Sequence, residues 1–103
     1  MERIYNKIVR DNIPNIIKSK GETPITRMLD DATYKSELEK KLYEEYQEVL
    51  EASGDARVEE LADMLEIIRA LAKIENKSLQ DIINVADNKN IKRGAFEEKI
   101  FLE

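Results

Sequence analysis

Two long stretches of helical periodicity, separated by one short break, dominate this sequence. From about Thr33 to about Ser53, Leu38, Leu42, Val49 and Ala52 recur on one face, extended by Tyr46, which predicts a long helix. Ser53-Gly54-Asp55 interrupts the pattern, with Gly54 as a terminator and Asp55 as the next N-cap. A second helix is expected from about Ala56 to about Asn76, with Val58, Leu61, Leu65, Ile68 and Ala72 on its apolar face. So short a break makes the two helices antiparallel neighbours.

The flanks are shorter and more local. Met1 to Lys20 reads as an extended start and then a short helix, with Asp11 at the N-cap, Pro14 in the first turn and Gly21 at the end. Ser78 and Asp81 have the spacing of a capping box. They open a helix through Leu79, Ile82, Ile83 and Ala86 that stops by Gly94. Thr23–Leu29 contains a proline and β-branched residues, and the tail from Phe96 alternates partially. Residues near 23–29 and 96–102 are therefore expected to pair as a minor β-hairpin. With 3 glycines and 2 prolines in 103 residues, the whole reads as one all-α domain, residues 1–103, an antiparallel bundle of about four helices. A core of this size favours burying part of a helix face between subunits.

Composition narrows the chemistry. The chain has no cysteine and no histidine, so thiolate and imidazole sites are excluded. A metal would have to be held by oxygen, which selects magnesium, manganese or calcium. The formal charge of −5 argues against a nucleic-acid duplex as partner, although a cation can bridge carboxylates to a nucleotide's phosphates. No apolar run reaches the length of a membrane span and no signal pattern opens the chain, so no membrane association and a cytoplasmic location are expected.

The residues that carry chemistry are Glu44, Glu45 and Glu48 on the first long helix and Glu60 and Asp63 on the second. Positions three or four apart share a helix face, so each pair can converge on one ion. At ~100° per residue, Glu45 falls inside the apolar arc of its helix, between Leu38 and Ala52. Glu60 likewise falls between Ile67 and Leu71, while Glu48 and Asp63 border the same arcs. Glu39, Glu51, Glu59 and Glu66 lie farther out and are expected to be solvated. Carboxylates aimed at a core need a cation, either a metal or a buried Lys or Arg. Neither helix places an obvious basic residue in mid-arc except Arg57 near its start. Lys89, Lys92 and Arg93 cluster before Gly94, where they suit either a polyphosphate or the helix macrodipole. Lys7 and Arg10 form a second basic pair. There is no glycine-rich phosphate loop, so a nucleotide would depend on metal and side chains.

Taken in order, Glu44-Glu45-x-x-Glu48 and then Glu60-x-x-Asp63 resemble the signature of the all-α nucleoside triphosphate pyrophosphatases, the MazG-like superfamily. Tyr5-Asn-Lys-Ile-Val-Arg-Asp-Asn-Ile-Pro14 looks like the start of its small phosphoribosyl-ATP pyrophosphohydrolase-like branch, and Lys92-Arg93-Gly94-Ala95-Phe96 is similar to that branch's ending. The segment from Gly21 to Asp31 matches nothing in that pattern. The resemblance implies Mg2+, with Mn2+ as a substitute, held by Glu45, Glu48, Glu60 and Asp63. It implies cleavage of a nucleoside triphosphate between the α and β phosphates, giving a monophosphate and pyrophosphate. Glu44 would orient water or support a ligand, and with no histidine the general base is expected to be Glu44 or Glu48. Lys89, Lys92 and Arg93, with Arg10, would face the phosphates. A homodimer or homotetramer with the site near an interface is also implied. The alternatives are a phosphoribosyl-ATP pyrophosphohydrolase of histidine synthesis and a non-catalytic, dimerising helical module.

Overall fold

The computed structural model describes residues 5–103. Among them are four α-helices and no strand: α1 (Ile13–Ser19), α2 (Asp31–Glu51), α3 (Gly54–Ile74) and α4 (Leu79–Arg93). The expected all-α class is realised. No helix among the described residues is long and apolar enough to cross a membrane.

Local chemistry sets the helix ends. Pro14 sits in the first turn of α1, but the N-cap is Asn12 rather than Asp11. At α2, Asp30 caps by accepting the Thr33 N–H at 2.7 Å, which holds its carboxyl below the usual range. Only Ala52 and Ser53 lie between α2 and α3, both extended. Gly54 follows at φ +58°, a backbone that side-chain-bearing residues rarely adopt. Asp55 therefore lies in the first turn of α3, and Ser53 occupies its N-cap. The capping box on α4 forms as expected. The Asp81 N–H donates to Ser78 Oγ at 3.1 Å and the Ser78 N–H to Asp81 Oδ2 at 2.8 Å.

The hairpin α2–α3 is the structural body. Its two helices pack on each other, α4 packs against α3, and α1 packs against none of the three. Leu38 and Val49 from α2 and Ile67 and Ala72 from α3 are the buried apolar side chains. The expected face of α3 is corrected in part: Ala72 is buried and Ile68 half-buried as expected, but the N-terminal positions are not. Val58, Leu61 and Leu65 point to solvent, while Ile67 faces α2. The reason is that α3 carries two apolar stripes, and one partner helix can cover one of them. The radius of gyration is 17.4 Å, against roughly 13 Å for a compact chain of this length.

The expected β-hairpin is absent. Residues 23–29 and 96–102 form no strand, and Ile25, Met28, Phe96 and Phe101 are almost wholly exposed. A lone two-stranded ribbon is marginal without a surface to pack on, and neither segment has one.

Candidate metal centre

Glu60 and Asp63 are one turn apart on α3 and so share a face. Glu45 lies about as far before the Ala52-Ser53 link as Glu60 lies after it, and an antiparallel hairpin brings such positions level. One carboxylate oxygen from each of Glu45, Glu60 and Asp63 then lies within 4.8 Å of the others.

The inner side of this cluster is shielded from solvent. Glu45 is buried, with 7% of its surface exposed. Its Oε2 and the Oε2 of Glu60 are shielded from solvent and accept no hydrogen bond. Buried acceptors of this kind are rare because their desolvation goes uncompensated. Burial, followed by the charge of Glu48, raises the pKa of Glu45. Glu60 is pushed up to about 7, chiefly because its carboxyl lies close enough to Glu48 to share a proton, and then by burial and by Glu45. When these carboxylates are ionised none of them can donate, so neither Oε2 can gain a partner from within the trio.

Two basic side chains touch the rim. Lys41, one turn before Glu45, places Nζ 3.9 Å from Glu45 Oε1, too far for a hydrogen bond and on the oxygen opposite the orphaned one. Arg10 donates through Nη2 to Asp63 Oδ1 at 2.7 Å. Lys41 overturns the expectation that neither long helix carries an inward base besides Arg57. Its Lys–Glu spacing at i, i+4 was a legible signal. The partnership of Arg10 with Asp63 spans 53 positions and left no local trace.

The other candidate residues divide. Glu48 is exposed and outside the convergent trio, although its charge acts on both Glu45 and Glu60. Glu44 is half-buried and joins neither the trio nor an ion pair among the described residues. Lys89, Lys92 and Arg93 come together, with Val85 and Asn88, around a shallow depression of about 290 Å³ on α4. No carboxylate of the trio lines it. A second depression, bordered by Asp31, Tyr34 and Lys73, lies where α2 begins and α3 ends, away from the Ala52-Ser53 link.

No family model matches the chain, and neither does any solved structure. It is similar to an uncharacterized protein of Mycolicibacterium smegmatis, 43% identical over 54 residues. That stretch is 52% of this chain and 55% of the relative, so the chain spans about half the length of the curated protein it matches.

Proposed function

We propose that the chain is a magnesium-dependent nucleoside triphosphate pyrophosphohydrolase that cleaves the α–β phosphate bond. The observation that carries this reading is the pair of shielded, unpartnered oxygens, Glu45 Oε2 and Glu60 Oε2, beside Asp63. The donor set is all oxygen and anionic, which fits Mg2+ or Mn2+. Glu45, Glu60 and Asp63 would hold the ion, with Glu48 at the margin. When bound, such an ion neutralises phosphate charge and acidifies coordinated water.

The chain's own residues supply the rest. Glu48 is exposed and its charge acts on Glu45 and Glu60, and a carboxylate so placed can accept a proton from water. Glu44, half-buried on the next position to Glu45, has less direct access. Lys89, Lys92 and Arg93 form a cationic patch of the kind that pairs with phosphate oxygens. The triphosphate and the bond cleaved rest on the sequence resemblance.

Association into a homodimer or homotetramer in the cytoplasm belongs to the same proposal. Its support is the exposed stripe Val58, Leu61 and Leu65, together with the open dimensions of 53 × 33 × 25 Å. That stripe equally favours a second reading, a helical interaction module without catalysis.

A nucleotide panel with Mg2+, including phosphoribosyl-ATP, separates these readings when pyrophosphate and monophosphate are measured apart. Pyrophosphate release is expected from a triphosphate, and its loss from Glu48→Ala and Asp63→Ala while circular dichroism is unchanged. Turnover of phosphoribosyl-ATP alone would place the enzyme in histidine synthesis. Release of orthophosphate alone, or full activity in both variants, would refute the proposal. No Mg2+ binding by calorimetry would favour the interaction module.

A further inference from the structure

Asp63 is the one member of the trio whose carboxylate already has a hydrogen-bonded cation. Its bond to Arg10 is short, at 2.7 Å, in the range of charge-assisted pairs. Arg10 is held less firmly than that distance suggests. It is 59% exposed, and α1, which follows it, packs against none of the other helices. Within residues 5–21, the other side-chain hydrogen bonds are local, Asn15 to Asn12 and Ser19 to the Ile16 carbonyl. The guanidinium can therefore leave Asp63 without disturbing a packed interface.

A divalent ion drawn to Asp63 would meet the charge of Arg10 a few ångströms away, and like charges at that range repel strongly. An exposed guanidinium at the end of a long side chain moves at little cost, whereas Glu45 and Glu60 on packed helices do not. We infer that Arg10 competes with a divalent cation for Asp63, so that this ion pair sets the affinity of the carboxylate trio for metal. The inference rests on the metal reading above. It also gives Arg10 a role before any phosphate arrives, because a metal that takes Asp63 releases the guanidinium for an anionic ligand.

Calorimetric titration of the full chain with Mn2+, without nucleotide, tests this. Arg10→Ala and Arg10→Gln should each bind Mn2+ about two- to fivefold more tightly than wild type, the range set by an exposed ion pair. Lys7→Ala removes a charge from the same segment; Lys7 stacks over Tyr5, at 6.0 Å from the ring centroid, not against Asp63. It should leave the affinity unchanged. Equal or weaker Mn2+ binding by both Arg10 variants would overturn the inference, because Arg10 would then position Asp63 as a ligand. An increase of the same size in Lys7→Ala would also overturn it, because net charge alone would suffice. These results differ from a failure of the metal reading, in which neither wild type nor any variant binds Mn2+.

Discussion

Replacing Glu45 by glutamine should make the metal-free protein more stable and abolish its response to metal. Glu45 Oε2 is a shielded acceptor without a partner, and leaving such a group unsatisfied costs about 1–3 kcal/mol. Lys41, 3.9 Å from the other oxygen and itself a quarter exposed, offsets part of this, about 0.2–1 kcal/mol for a pair of that kind. The glutamine amide removes the charge, keeps the shape and adds a donor that faces Glu48 and Glu60. The net gain should be on the order of 1 kcal/mol, or roughly 4–8 °C in Tm for a domain of this size. Thermal melts at fixed protein concentration, in chelator and in Mn2+, read both effects. Wild type should gain about 2.7 kcal/mol at a metal concentration a hundred times Kd, and Glu45→Gln should gain nothing. A lower Tm for Glu45→Gln in chelator would refute the reasoning, because Lys41 would then be the true counterion of a satisfied carboxylate.

Three other perturbations follow from the geometry. Because the folded-state pKa of Glu60 is raised from 4.5 to about 7, the folded chain binds the extra proton within that window. Its stability in chelator should therefore fall as pH rises, with denaturant midpoints higher near pH ~5 than near pH ~8, and Mn2+ affinity should rise over the same range. Ser78→Ala removes one half of the α4 capping box and should cost about 1 kcal/mol, seen as lost helicity by circular dichroism. Leu38→Ala should cost about 2–5 kcal/mol in chemical denaturation, a large share of the stability available to a hairpin with so few buried apolar side chains.

Much of the architecture was legible along the chain because helix periods, caps and breaks are local. The Ser78–Asp81 box and the stop at Gly94 depend on neighbours a few positions away and occur where the pattern put them, while the break between the long helices falls at Ala52-Ser53, with Gly54 opening α3 instead of ending α2. The inward placement of Glu45 and Glu60 was legible for the same reason, since a helix of known period fixes which residues share an arc. Three things were decided by tertiary structure. The crossing of α2 over α3 chose between the two apolar stripes of α3, burying Ile67 and leaving Leu61 and Leu65 exposed. The path of the chain before α2 brought Arg10 to Asp63, and segments 23–29 and 96–102 are left exposed, without strand pairing. The position of α4 gathered Lys89, Lys92 and Arg93 around a depression lined by none of the three carboxylates. Periodicity reports which side of a helix is apolar or charged; which neighbour meets that side depends on contacts between residues dozens of positions apart.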